Sequence, residues 1–139
     1  MRKVTRILEI DAGHRLMNHE GKCRNVHGHR YKFEITVAAD SLDDVGRVLD
    51  FGVIKEKVGG WLDAEWDHGF IVQIGDPLLA ALKEDKSKYY IMAAPPTAEN
   101  MSTLLAEVAA TLLSPHGIRV ARVRCWETPN CYADARGNI

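Results

Sequence analysis

Three histidines near the start of the chain have the types and spacing of metal ligands. His27 and His29 are two residues apart, so on an extended strand both imidazoles leave the same face. His14 ends a preceding apolar run, and antiparallel pairing would bring it alongside them. Three neutral imidazole nitrogens with one open position are the ligand set of a catalytic zinc ion, whereas a structural zinc site is closed by a fourth protein ligand. The spacing therefore predicts a zinc-type catalytic site.

A His-x-His pair alone is weak support for a metal, because such histidines are more often ordinary surface or core residues. The nearby Cys23 strengthens the case, and His19 or Glu20 could compete as ligands from the polar loop at 17–22. A cysteine beside a bound cation and basic residues is expected to be reactive. Cys23 could be a base, a nucleophile or a fourth zinc ligand, with an inert loop cysteine as the alternative.

Two further features could take part in acid–base chemistry or in binding. Asp67 directly precedes His68, and a carboxylate that orients an imidazole is a common acid–base device, although adjacent side chains need not face each other. Solvated loop residues are the alternative interpretation. Glu127 ends a mostly apolar strand, where a carboxylate can form a salt bridge or accept paired N–H donors from a heterocycle.

Hydrophobic periodicity indicates the elements that must position these residues. Strict alternation from Tyr31 to Val37 predicts a half-buried strand, and the period then changes to that of a helix after Gly52. Thr97 is a plausible N-cap, with Glu99 in the first turn of the helix that follows. The predicted elements are strands at 2–10 and 31–37, helices at 52–64 and 97–112, and strands at 119–127 and 131–135, with a short helical piece at 77–83. This order, ββααββ, predicts an α+β protein with an antiparallel sheet and helices on one face.

The bulk composition excludes several classes of protein. The chain has 139 residues without a linker or repeat, so we expect a single domain over 1–139. A net charge of −1 without a basic run gives no footprint for nucleic acid, and no apolar stretch is long enough to span a membrane. Three cysteines without a closely spaced pair favour a reducing, cytoplasmic location.

Six short motifs together resemble the 6-pyruvoyl-tetrahydropterin synthase / 6-carboxytetrahydropterin synthase family. Any one of them is weak, but all six occur in the family's order over almost the whole chain. They are Asp11-Ala12-Gly13-His14, Cys23 through His27-Gly28-His29, Leu49-Asp50-Phe51, Trp66-Asp67-His68, Pro96-Thr97-Ala98-Glu99-Asn100 and Glu127-Thr128.

The resemblance implies a fold, an assembly and a set of site residues. The fold would be the tunnelling fold (T-fold), with a four-stranded antiparallel sheet and two helices on one face. Subunits would form a ring-based homo-oligomer, usually a hexamer, with active sites at the interfaces. The residues implied are His14, His27 and His29 as zinc ligands, Cys23 as general base, Asp67 and His68 as its proton-transfer partners, Glu127 as the anchor of the pterin ring, and Thr97 and Glu99 as the segment that helps to close the pterin pocket.

The short loop at 17–22 is similar to the bacterial enzymes of the queuosine (7-deazaguanine) pathway, and Cys23 argues against a related subgroup with Glu at that position. The resemblance therefore implies a zinc-dependent lyase, 6-carboxytetrahydropterin synthase, acting on 7,8-dihydroneopterin triphosphate. The alternatives are 6-pyruvoyl-tetrahydropterin synthase, a zinc-stabilised pterin-binding protein without activity, and a structural metal site closed by Cys23. Charge alone suggests Arg15, Lys22 and Arg24 for the triphosphate, with a solvated loop as the alternative.

Overall fold

The two longest strands form an antiparallel pair that carries all three histidines. In the computed structural model, which describes residues 1–139, β1 is Arg2–His14 and β2 is His27–Ala39. Their register pairs every residue of β1 with one of β2, from Arg2 opposite Ala39 to His14 opposite His27. Both strands run further toward the histidines than the apolar alternation predicts.

Four strands form the predicted antiparallel sheet, and two short strands extend it. β5 (Arg119–Thr128) pairs with β2, and β6 (Cys131–Arg136) pairs with β5, both antiparallel. β3 (Phe70–Gln73) and β4 (Tyr89–Met92) add a parallel pair beyond β1, which gives the order β4-β3-β1-β2-β5-β6. Strands β3 and β4 were not predicted, because four residues are too few to display an alternation.

The helices lie close to the predicted positions. The first consists of α1 (Phe51–Ile54), a π-helical turn (Lys55–Gly59) and α2 (Gly60–Glu65), in unbroken succession. Helix α3 is Leu78–Asp85, and α4 is Ala98–Leu113. The predicted N-cap is confirmed, because the Asn100 N–H donates to Thr97 Oγ1 at 3.1 Å.

The core lies between one face of the sheet and the helices. Alternate strand residues such as Ile10, Phe33 and Val123 are buried against helix residues such as Leu62 and Leu105. A cluster of 26 buried residues spans these elements, so β1 and β2 cannot shift against each other without exposing apolar side chains. The fully buried residues of α4 are Met101, Ser102, Leu105, Ala109 and Leu113, whereas Leu104, Val108 and Leu112 are only partly buried. No helix in the structure combines the length and the apolar composition that crossing a membrane requires.

Candidate functional site

The register of β1 and β2 brings the three predicted ligands together. His14 lies opposite His27, and His29 lies opposite Ala12, so the three imidazoles occupy the same face at one end of the strand pair. Their ligand nitrogens lie within 4.8 Å of one another. His14 is 1% exposed, whereas His27 and His29 are partly buried, so the cluster lies at the edge of the core.

Main-chain carbonyls fix the tautomers of two of these imidazoles. The Nδ1 atom of His14 lies 2.7 Å from the Pro96 carbonyl oxygen, and Nδ1 of His27 lies 2.7 Å from that of Asn25. Because a carbonyl oxygen only accepts, both Nδ1 atoms carry the proton and both Nε2 atoms present lone pairs. These two Nε2 atoms are 3.2 Å apart, so two lone pairs face each other without a donor between them. A cation bound by both nitrogens would remove this repulsion.

The third imidazole supports the same conclusion. Nε2 of His29 is buried and has no hydrogen-bond partner. Buried polar atoms in proteins almost always have a partner, so this atom is a candidate to bind a ligand. Burial lowers the pKa of His14 to about 4 and also lowers that of His29, where the charge of Glu127 acts in the opposite direction. His14 is therefore neutral at neutral pH, as a metal ligand must be. The donor set fits a divalent ion that prefers imidazole, such as zinc.

Glu127 places a carboxylate beside the histidine cluster. Its Oε1 atom lies 3.5 Å from Nε2 of His14 and 3.7 Å from Nε2 of His29. Negative charge at this distance favours a cation among the three nitrogens. The side chain is 29% exposed, so the carboxylate can also accept N–H donors from a bound heterocycle.

A buried tyrosine packs behind the histidine cluster and was not predicted from the sequence as a site residue. Tyr31 follows His29 by two residues, is fully buried, and packs edge-on against His14 and His29 with centroid distances of 5.8 and 5.4 Å. Its hydroxyl has no hydrogen-bond partner, and burial raises the pKa of Tyr31, which keeps the hydroxyl protonated. The signal in the sequence is the His-x-His-x-Tyr spacing, which places all three on one strand face.

Cys125 and Glu99 belong to the same end of the core. Burial raises the pKa of the Cys125 thiol, and the carboxylates of Glu127 and Glu99 add to this effect, so Cys125 stays a neutral thiol. Glu99 lies in the first turn of α4, and the Thr97 hydroxyl caps that helix. The N-terminus of α4 thus borders the histidine cluster, to which Pro96 binds through its carbonyl oxygen.

Cys23 lies in a short 3₁₀ turn (Lys22–Arg24) between β1 and β2. The Leu16 N–H donates to the Cys23 carbonyl oxygen at 2.7 Å, which folds the loop back toward the end of β1. The thiol is partly buried, and the group of converging ligand atoms contains the three imidazoles without it.

Asp67 and His68 face each other in the turn between α2 and β3. Nδ1 of His68 lies 3.0 Å from Oδ2 of Asp67, and the Asp67 Oδ1 atom accepts the Asp11 N–H at 3.0 Å. Burial opposes ionisation of Asp67, but the Asp11 N–H, His68 and the charge of Lys88 together lower its pKa. No hydrogen bond or ion pair joins this pair to the histidine cluster or to Cys23 within the chain.

The three basic residues suggested for the triphosphate differ in whether their charges are already paired. Arg15 donates through Nε to Asp76 Oδ2 at 2.9 Å and through a second nitrogen to Oδ1, and Asp76 is 5% exposed. This bidentate pair commits most of the Arg15 guanidinium to the turn before α3. Lys22 and Arg24 make no hydrogen bond or ion pair through their side chains, so their charges remain available.

Comparison with known proteins places this site in a family. The family model described as 6-pyruvoyl tetrahydropterin synthase matches residues 3–138. A protein of Rickettsia bellii named 6-carboxy-5,6,7,8-tetrahydropterin synthase is 41% identical over 137 residues, which cover 96% of this chain and 99% of that protein. A Halobacterium salinarum protein, named as a probable enzyme of the same kind, is 36% identical and is matched over 89% of this chain and 79% of its own.

Solved structures agree with the fold. An uncharacterized protein from Wolinella succinogenes superimposes with a TM-score of 0.85 at 23% identity, over 99% of this chain and 98% of that one. The 6-pyruvoyl tetrahydropterin synthase of Caenorhabditis elegans gives a TM-score of 0.73 at 22% identity, over 99% and 96%. The fold is therefore the predicted tunnelling fold, with β3 and β4 added to its four-stranded sheet. Because the family model spans nearly the whole chain, the protein belongs to the 6-pyruvoyl tetrahydropterin synthase family.

Proposed function

We propose that this protein is a zinc-dependent 6-carboxy-5,6,7,8-tetrahydropterin synthase of queuosine biosynthesis. It would convert 7,8-dihydroneopterin triphosphate to 6-carboxytetrahydropterin, acetaldehyde and triphosphate. The observation that carries this choice is the Rickettsia bellii relative of that name, 41% identical over 96% of the chain. The geometry supports a metal-dependent reaction, because three imidazole nitrogens converge with no donor between them.

The chain's own residues would bind the substrate and move its protons. His14, His27 and His29 would hold a divalent ion, which would supply Lewis acidity toward the oxygen atoms of the substrate side chain. Glu127 accepts the N–H donors of the pterin ring, and its position beside the histidines directs the ring's side chain toward them. Thr97 and Glu99, at the start of α4, help to close the pterin pocket. Cys23 removes a carbon-bound proton.

Asp67 and His68 would complete the proton transfer from a neighbouring subunit. Within one chain the two side chains contact Asp11 and each other, and not the histidine cluster. Only Gly13 and His14 of β1 pair with β3, so most of this edge of β1 has no strand partner. An edge with free main-chain groups accepts a strand from another chain. This supports a homo-oligomer, as in the expected hexamer, with active sites at subunit interfaces.

Two alternative functions share this chemistry in part. A 6-pyruvoyl-tetrahydropterin synthase would use the same metal and base, and the structural neighbour from Caenorhabditis elegans bears that name. A zinc-stabilised pterin-binding protein would need no proton relay, and the contact of 3.0 Å between His68 Nδ1 and Asp67 Oδ2 argues against it.

Incubation of the zinc-loaded protein with 7,8-dihydroneopterin triphosphate should release triphosphate, acetaldehyde and 6-carboxytetrahydropterin. Mass spectrometry of the pterin and an enzymatic assay for acetaldehyde measure the two carbon products. A pyruvoyl product without acetaldehyde would assign the chain to the 6-pyruvoyl branch. Binding of the substrate without triphosphate release would identify a pterin-binding protein.

The metal assignment predicts that His29→Ala loses bound zinc, because two imidazoles leave the tetrahedral set incomplete. Elemental analysis of the purified wild type should give about one zinc ion per chain. His116→Ala is the matched control, since His116 lies in the exposed turn after α4, and its metal content should not change. Equal zinc in both variants would contradict the assignment. Cobalt substitution should give a spectrum without thiolate charge transfer if Cys23 is not a ligand.

Cys23→Ala should lower turnover by about 10²- to 10⁴-fold, the usual contribution of a general base, with zinc content unchanged. Cys131→Ala is the control, because Cys131 is an exposed thiol at the start of β6. Normal turnover in Cys23→Ala would rule out the base role. Loss of zinc together with turnover would instead make Cys23 a metal ligand.

Glu127→Gln should weaken pterin binding by about 1.5–3 kcal/mol, roughly 10- to 100-fold, because an amide replaces a carboxylate that accepts two N–H donors. Fluorescence titration of the zinc-loaded protein with the product pterin measures the affinity. Glu107→Gln on the exposed side of α4 is the control. An affinity equal to that of the wild type would remove Glu127 from the pterin site.

A further inference from the structure

A lysine distant in the sequence ties down the turn that holds Asp67 and His68. Lys88 immediately precedes β4, and its ammonium donates to the carbonyl oxygens of Asp63 at 2.8 Å and Asp67 at 2.6 Å. One cation thus joins the last turn of α2 to the turn that follows it. Charge-assisted hydrogen bonds of this kind are stronger than those between neutral groups.

The rest of Lys88 is fixed against the same turn. The Phe70 N–H donates to the Lys88 carbonyl oxygen at 3.1 Å, which aligns β4 with β3. The aliphatic stem crosses Gly69, where an added Cβ would lie 3.1 Å from Lys88 Cγ. The main chain of Lys88 is therefore held by β3, and its aliphatic stem is held by Gly69. Together they direct the ammonium toward the Asp67 carbonyl.

The turn needs such support because His68 has a left-handed backbone. Its φ is 58°, and only one other non-glycine residue, Lys86, has a positive φ. This conformation is unfavourable for a residue with a side chain, and such strain persists only where surrounding bonds hold it. The His68 N–H donates to the Asp11 carbonyl oxygen at 2.7 Å, on the side of the turn that faces β1. Lys88 supplies the bond to the carbonyl of Asp67, the residue just before His68.

We propose that Lys88 is a positioning residue, whose bond to the Asp67 carbonyl holds the turn in the one conformation in which Asp67 and His68 face each other. Nδ1 of His68 then lies 3.0 Å from Oδ2 of Asp67, and Nε2 is left on the far side of a ring whose side chain is 75% exposed. The inference rests on the proposed proton-transfer function of this pair. The bond to Asp63 is also a helix cap, so a role in stability alone is the competing explanation.

Lys88→Met tests the inference, because methionine keeps an unbranched stem over Gly69 and removes the ammonium. We expect kcat to fall about 10- to 100-fold, as a displacement of about 1 Å at a reacting group can do, with KM and zinc content unchanged. Lys88→Arg should restore most of kcat, since a guanidinium can donate to both carbonyls. Lys86→Met is the matched control: it removes an exposed lysine of the same loop whose side chain makes no hydrogen bond, and kcat should not change.

A second measurement does not depend on turnover. In the wild type, ¹⁵N spectra of the His68 imidazole should show the tautomer protonated at Nδ1, held by Asp67. In Lys88→Met the spectrum should shift toward the mixture seen for a free imidazole. If Lys88→Met unfolds at a lower temperature but keeps the wild-type tautomer and kcat, the inference is overturned. Lys88 would then act only as a helix cap.

His68→Gln separates this inference from the proposed function. If His68→Gln is inactive while Lys88→Met keeps wild-type kcat and tautomer, the positioning role is wrong and the proposed function survives. If His68→Gln retains full turnover, the proposed proton transfer is wrong. In that case the tautomer of His68 in Lys88→Met alone decides whether Lys88 positions the turn.

Discussion

The pairing of His14 with His27 across β1 and β2 is the constraint on which the site depends. The side-chain period of a strand is two residues, so a slip of one residue would turn one strand's histidines to the opposite face. The core prevents this slip, because Ile10 and Phe33 are buried on the same face as the histidines. The arrangement of the three imidazoles is therefore specified by apolar residues further along the two strands.

Burial also sets the chemistry of the ligands. A buried imidazole stays neutral because the charged form loses its hydration, and this effect dominates the pKa of His14. Burial also removes water from the Nε2 lone pairs of the three imidazoles. This loss of hydration is unfavourable unless a hydrogen-bond donor or a cation takes the place of the water. The carbonyl of Pro96 orients the His14 ring from a segment 82 residues away, so the start of α4 and the end of β1 must meet before the site exists. Local sequence supplies the three imidazoles, and long-range packing orients the ring of His14.

This division explains which features the sequence could reveal. Alternation in β2, the Thr97 cap and the spacing of His27 and His29 are local patterns, and the structure contains each of them. The bond between Lys88 and Asp67 is different, because it uses a main-chain carbonyl that every residue type carries. The left-handed φ of His68 likewise has no signature, since that conformation usually selects glycine.

Reasoning from charge alone is limited for a related reason. Arg15 follows a predicted ligand, and its charge alone suggested a contact with phosphate groups. In the folded chain Asp76 holds the guanidinium by two bonds, although the two residues are 61 positions apart. A basic side chain is available to a ligand only if no buried carboxylate has already paired with it. For Arg15, the packing of the β3–α3 turn against the end of β1 decides this pairing. Lys22 and Arg24, in the loop before β2, lack such a partner, so their charges remain free.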